Sequence, residues 1–265
     1  MYKTDHTNMN ETWTRVWRPR LLASGVHLGV SLAIAALAGL LVFGLWYPYP
    51  YREISGGREL FTLVVSVDVV LGPMITLAIF NLKKGWPVLR RDLAVIALLQ
   101  VLALGYGLWT VFVARPAHLV YEYNRFRVVH AIDVPSDQLD KAPQALRKLP
   151  LWGPTPLSLR PFRDNDEKAN ATLADIAGVP LASQPALWQS YESGLAELRQ
   201  EAKPVSRLKA RFAASAPEID RLLRSVGRQP DEAAWVPMIG RKTFWTVFVD
   251  MKTGQLLAFM PLDSF

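Results

Sequence analysis

The sequence predicts a membrane α-helical protein: three transmembrane helices, N-terminus in and C-terminus out, then a C-terminal α+β extracytoplasmic domain whose terminal β-hairpins share a sheet. Three observations carry this. Residues 1–115 contain three apolar runs long enough to cross a bilayer, basic residues crowd alternate connections between them, and residues 116–265 begin and end with strand-like alternation. The average composition, 51% hydrophobic and 20% charged, hides that division. Residues 1–115 hold 11 Lys+Arg against 6 Asp+Glu, whereas residues 116–265 hold 19 against 17. Basic excess beside apolar runs orients a membrane protein and meets anionic lipid. The near balance in the tail argues against nucleic acid as a partner. The chain has no cysteine, which excludes disulfides, thiolate catalysis and Cys-based metal sites.

Residues 1–20 form a short segment on the inner side. Leu21 to Trp46 then contains no Asp, Glu, Lys or Arg. About 20 apolar residues cross the hydrocarbon core, so this first span has length to spare. A secretory signal has a shorter apolar core and a small-residue cleavage site. Here the run continues into Trp46-Tyr47-Pro48-Tyr49-Pro50-Tyr51, read as an aromatic belt, so the segment is expected to be retained. Leu60 to Leu82 is the second span, interrupted by Asp68 and by Gly72-Pro73, where Pro should kink the helix. Leu93 to Ala114 is the third, closed by Arg115-Pro116. The three make up a bundle over residues 21–115, and the tail begins at 116.

Orientation follows from the basic residues of short connections. Arg15, Arg18 and Arg20 precede the first span, and Lys83, Lys84, Arg90 and Arg91 lie between the second and third. Arg52 and Arg58, in the other connection, are offset by Glu53 and Glu59. This puts the N-terminus and the 83–92 loop inside and residues 116–265 outside. Trp13, Trp17 and Trp86 fall at the inner interface, and Trp46, Tyr47 and Trp109 near the outer one, in agreement.

Polar residues inside spans are costly in lipid and mark where function concentrates. At 1.5 Å per residue, Asp68 and Tyr106 both lie roughly 12 Å below the outer ends of antiparallel helices. Asp68 is therefore expected to accept a hydrogen bond from Tyr106, or to be protonated. His27 and Gln100 would form a second layer nearer the inner side. Three roles are open to Asp68: a packing bond within the bundle, contact with a client's membrane helix, or ion conduction. The packing bond is favoured, and conduction ranks last because it needs a chain of ionisable groups. Gly25-x-x-x-Gly29 permits close helix approach, expected within the same bundle, with a partner helix as the alternative.

The tail opens with a hairpin from His118 to Val134, turning at Asn124-Arg125. Asp137 to Leu149 reads as a short helix, followed by a connection that Pro150, Pro154, Pro156 and Pro161 break. Asp164 to Ile176 has helical composition, its acidic start compensating the helix N-terminus. Pro185 to Ala202 carries Leu187, Trp188, Tyr191, Leu195 and Leu198 at helical spacing. Ser215-Ala216-Pro217-Glu218 is a capping box opening a helix with Ile219, Leu222, Leu223 and Val226. Phe244–Val249 and Leu256–Phe259 flank a turn at Lys252-Thr253-Gly254, giving the closing hairpin.

No Walker loop, nucleophile elbow, HExxH pair or dinucleotide fingerprint occurs, so neither enzyme chemistry nor a cofactor is indicated. His6, His27, His118 and His130 are scattered. The last two could meet across the first hairpin, but without a third ligand they make a weak zinc case.

Several stretches together carry a family resemblance. They are the early His27, the exit Leu45-Trp46-Tyr47-Pro48-Tyr49-Pro50-Tyr51, Glu59-Leu60-Phe61 and Val67-Asp68-Val69-Val70-Leu71-Gly72-Pro73. Phe80-Asn81-x-Lys83-Lys84, Arg90-Arg91-Asp92-Leu93-Ala94, Ala103-Leu104-x-Tyr106-Gly107, Arg115-Pro116 and Tyr121-Glu122-x-x-Arg125-Phe126 follow. From Arg20 through Val134 the chain resembles the TfpX/TfpZ type IV pilin accessory proteins of Gram-negative bacteria. The resemblance implies a multi-pass inner-membrane protein with a periplasmic tail, a chaperone-like factor in production or assembly of a cognate pilin. Implied partners are a major or minor type IV pilin, inner-membrane lipid and other pilus assembly proteins; no catalytic site is implied. Contact with both the membrane helix and the head of a pilin would raise affinity through effective concentration. A different class stays open: a membrane-anchored periplasmic ligand sensor acting through a separate partner. The inner side offers such a sensor little for an output of its own.

Overall fold

A computed structural model describes residues 7–265. His6 and the side chains of Trp13 and Arg15 lie outside the described residues. The chain divides into two compact units, one of residues 1–44 and 58–112 and one of residues 45–57 and 113–265.

The first unit is built from three long helices. α1 (Thr7–Leu41) continues through a π-helical turn to Trp46, the short α2 (Tyr51–Ile54) follows in the second unit, and α3 (Gly57–Ile79) and α4 (Trp86–Val113) return to the first. Val16–Trp46, Gly57–Ile79 and Trp86–Val113 are each long and apolar enough to cross a membrane, and most of their apolar side chains are exposed on the protein. Such surfaces suit lipid better than water and suggest a membrane protein. α3 runs unbroken through Pro73.

The second unit is one mixed eight-stranded sheet with helices. The strands are β1 (Pro116–Glu122), β2 (Arg125–His130), β3 (Thr155–Leu159), β4 (Trp188–Ser190), β5 (Lys203–Pro204), β6 (Ala233–Ile239), β7 (Phe244–Asp250) and β8 (Leu256–Met260). Their order is β4-β3-β1-β2-β6-β7-β8, with β5 also on β6. The two terminal hairpins share this sheet through β6, parallel to β2 over Phe126↔Met238 and Arg127↔Ile239 and antiparallel to β7. Side-chain alternation divides the core. Leu119, Tyr121, Phe126, Val236, Met238 and Val247 pack on one face with Leu198 of α6 (Leu195–Glu201). On the other face, Val120, Val129, Leu157 and Trp188 pack with Ala171 of α5 (Asn165–Ile176). Also there, Trp235, Phe248 and Met260 meet α7 (Val205–Arg211) and α8 (Ala216–Ser225).

The connection leaving α1 belongs to this core. Tyr51 and Ile54 join the first face, and Tyr47 is buried as well. The aromatic exit is thus largely interior packing rather than a belt; among its tyrosines only Tyr49 stays exposed.

Several local expectations are corrected. The first hairpin turns at Tyr123-Asn124, because Arg125 already pairs with Glu122. Residues 137–149 form short 3₁₀ turns, since Pro143 disfavours helix in the residue before it. Residues 185–202 are not one helix. Trp188–Ser190 pairs with β3, Tyr191–Gly194 makes a 3₁₀ turn, and only Leu195–Glu201 is α-helical. The Pro-rich stretch contributes β3, with Pro156 within it. α8 forms, but the Ser215 side chain makes no capping bond; Ser215 ends a 3₁₀ turn with its backbone already helical. Asp164 does cap α5, its carboxylate accepting from the Glu167 amide at 2.7 Å.

Candidate functional site

The polar side chains of the first unit converge on one point. Asp68, Gly72 and Thr76 recur every four residues, so they share one face of α3. His27 of α1 and Gln100 of α4 meet that face. Gln100 donates from Nε2 to Asp68 Oδ1 at 3.0 Å and to the Asp68 carbonyl at 3.4 Å, leaving its Oε1 to accept. His27 Nε2, 2.7 Å from that oxygen, must be the donor. In a neutral imidazole Nδ1 then accepts, and the Thr76 hydroxyl lies 2.6 Å from it. Ser24 adds a bond to the Pro73 carbonyl at 2.9 Å. Four side chains from three helices thus form a single chain of hydrogen bonds rather than two layers.

Gly72 makes room for it. A Cβ there would stand 2.0 Å from Gln100 Nε2 and 3.1 Å from His27 Nε2. Gly25 and Gly29 behave otherwise: a Cβ at either would meet nothing within 4 Å, so they do not pack within their own bundle. The close approach lies at Gly107, where a Cβ would stand 2.4 Å from Val64 Cγ1. Gly107 is seven residues beyond Gln100, on the same stripe, and that spacing was the signal available for it.

Tyr106 does not reach Asp68. It is 69% exposed, and its ring lies 5.8 Å from that of Trp109. Depth along a helix does not fix direction: six residues from Gln100 place Tyr106 about 120° around the axis. Thr76, eight residues from Asp68, is the member of the network that the sequence reading missed.

A groove of about 420 Å³ runs between α3 and α4. Leu63, Val67, Leu71, Leu99 and Ala103 line it, and its polar members are Asp68, Gln100, Tyr106 and Thr110. The Thr110 hydroxyl is spent on the Tyr106 carbonyl at 3.0 Å. Asp68, 9% exposed, keeps acceptor capacity beyond its one bond to Gln100. Such a groove can take the side of an apolar helix and offers one acidic group to a donor on it. It assembles no nucleophile with a base.

In the second unit His118 and His130 are both buried but face opposite sides of the first hairpin, since His118 pairs with Val129, the neighbour of His130. Among the described residues no three His, Asp or Glu side chains are grouped to hold a metal ion. Burial pushes the His118 imidazole down to about 4, against the raising effect of its bond to Thr155. Burial also lowers His130, opposed by its bond to Asp133.

Residues 15–56 match the family described as fimbrial assembly protein FimB. A fimbrial assembly protein of serogroup I from Dichelobacter nodosus is 31% identical over 244 residues, covering 91% of this chain and 95% of that protein. The chain belongs to the fimbrial assembly protein family. A serogroup E1 fimbrial assembly protein of the same organism is 30% identical over 245 residues, with the same coverage of both chains. A third, of serogroups C1 and C2, is 36% identical over 119 residues, covering 45% of this chain and 91% of that one. No solved structure matches. The matched FimB region, residues 15–56, holds Gly25, His27 and Gly29 and ends in the α2 connection that packs into the sheet unit.

Proposed function

We propose that this chain is a non-enzymatic inner-membrane accessory protein that assists production or assembly of a type IV pilin. In this reading the α3–α4 groove holds the membrane helix of the pilin while the second unit stands in the periplasm. The observation that carries it is the groove itself, an apolar channel with one acidic side chain, in a chain whose relatives are named for fimbrial assembly. The TfpX/TfpZ resemblance of residues 20–134 supports the pilin as client. The placement of Lys and Arg supports a cytoplasmic N-terminus. Residues 45–57 and 113–265 share one compact unit, which suits two spans that cross and return between them.

Deleting the gene should lower surface pili while pilin transcription holds. Photo-crosslinkers at the groove positions Leu63 and Leu99 should capture the pilin, and one at Leu22 on α1 should not. Asp68→Asn should weaken capture without lowering accumulation of the protein. Normal piliation in the deletion strain would sink the proposal.

One observation favours the ligand-sensor reading: a cleft of about 540 Å³ lined by Arg127, His130, Asp133 and Arg241. It opens where β2 and β6 part after two paired positions. Wild-type pili in the deletion strain, together with a small molecule that stabilises the purified protein, would move the assignment there.

A further inference from the structure

Outside the groove, an exposed apolar pair remains without a role. Leu151 is 54% exposed and Trp152 62%, side by side in a turn between Pro150 and Gly153. Water is a poor solvent for such a pair, and the turn is not free to fold it away. At one end the Arg115 guanidinium donates to the Pro150 carbonyl from Nη2 at 2.9 Å and from Nε at 3.2 Å. At the other the Gly153 amide donates to the Leu45 carbonyl at 2.7 Å. Gly153 holds a positive φ of 46°, which favours glycine at that end.

The two tethers share one property. Leu45 lies in the last turn of the apolar run Val16–Trp46, and Arg115 lies two residues beyond Trp86–Val113. Both belong to the same compact unit as the turn. The turn is therefore tied, within that unit, to the residues at which two apolar helices reach their C-terminal ends. Trp is favoured at the boundary of headgroups and acyl chains, and an aliphatic neighbour adds apolar surface to bury there. Exposed Arg147 and Lys148 precede it, suited to anionic headgroups.

We propose that the Pro150–Gly153 turn is a lipid-interface anchor, with Leu151 and Trp152 inserted at the headgroup–acyl boundary where the first and third apolar helices end. The anchor would fix the level and tilt of the sheet unit over the bilayer. It does not depend on the pilin reading.

The absence of cysteine makes the test direct. Full-length Trp152→Cys and Leu151→Cys proteins, each carrying an environment-sensitive fluorophore, would be reconstituted into phosphatidylcholine–phosphatidylglycerol vesicles. Some vesicles carry nitroxide lipids labelled near the headgroup and others near the acyl terminus. Leu151→Cys keeps the tryptophan, so the result does not hang on one variant. Both labels should be quenched severalfold more by the shallow nitroxide than a label at Ile176→Cys, a site 77% exposed on α5. Quenching at 151 and 152 no stronger than at 176, or stronger from the deep nitroxide, would overturn the anchor. A Val26→Cys label, on the exposed side of the first run, should be quenched by the deep nitroxide. Failure at 26 would overturn the anchor by removing the membrane from under it, a result distinguishable from failure at 151 and 152 alone.

Discussion

Among the apolar helices, His27, Asp68, Thr76 and Gln100 come from three separate helices and bond to one another. In the sheet unit, buried Glu122 is held by Arg125 and Arg127 of its own hairpin, both at 2.9 Å, and Asp250 by the amides of Lys252 and Thr253 in its own turn, with Arg228 added at 3.1 Å. The contrast follows from solvent. A chain folding in water is driven together by apolar burial, so its polar groups need to be satisfied, near or far in sequence, but do not have to specify the packing. Helices in lipid gain nothing by exchanging lipid contacts for leucine contacts. Close approach at small residues and bonds between helices must specify their arrangement. Gly72 and Gly107 supply the first of these devices, and the four-residue network the second.

Four measurements would break or sharpen that contrast. The largest effect is expected at Ile54, which is fully buried in the sheet unit although it precedes α3. Ile54→Ala should cost about 3 kcal/mol in denaturant unfolding of the sheet unit, and no measurable loss would detach residues 45–57 from that core. Second comes pH. Burial holds His118 near 4 in the folded chain, whereas the unfolded chain takes up its proton near 6.5. Stability should therefore be level above pH 7 and fall by about 2 kcal/mol by pH 5, with His118→Phe removing most of that slope. An unchanged slope in that variant would assign the acid sensitivity elsewhere. Third, Gly72→Ala should destabilise the helical unit by about 1.5 kcal/mol through its clash with Gln100. The cost should shrink in a Gln100→Ala background; equal costs in both would mean the two do not touch. Smallest is Gln100→Leu, expected to cost about 1 kcal/mol because bonds between membrane helices are individually weak. Helix crosslinking yields in bilayers would register it.

What could be read from sequence followed the same division. Three apolar runs announce themselves by length, and the strand pair at 244–259 by alternation around Thr253-Gly254. β6 was missed because a central strand is buried on both faces and shows no alternation, and because Pro237 counted against it. Trp188, Tyr191, Leu195 and Leu198 fit helical spacing, yet the first pairs with a sheet edge and the second caps the core from a turn. Tyr47 and Tyr51 have the composition of an interfacial belt, and only the fold reveals them as interior. In the candidate site, residue types were legible, which named His27, Asp68 and Gln100, with Gly72 marked only as part of a kink, but the two expected layers proved to be one. Rotation about the helix axis was not, and it exchanged Tyr106 for Gln100 as the partner of Asp68.

The packing of Tyr51 and Ile54 also bears on biogenesis. Ribosomes deliver these two residues well before the sheet that encloses them, with the two long apolar helices α3 and α4 synthesised in between. The interior of the sheet unit can close only after both intervening helices have been made, so its completion waits on nearly the whole chain from residue 45 onward. A fragment beginning at Pro116 would lack a piece of its own interior, and the sheet unit cannot be excised as one contiguous stretch of gene.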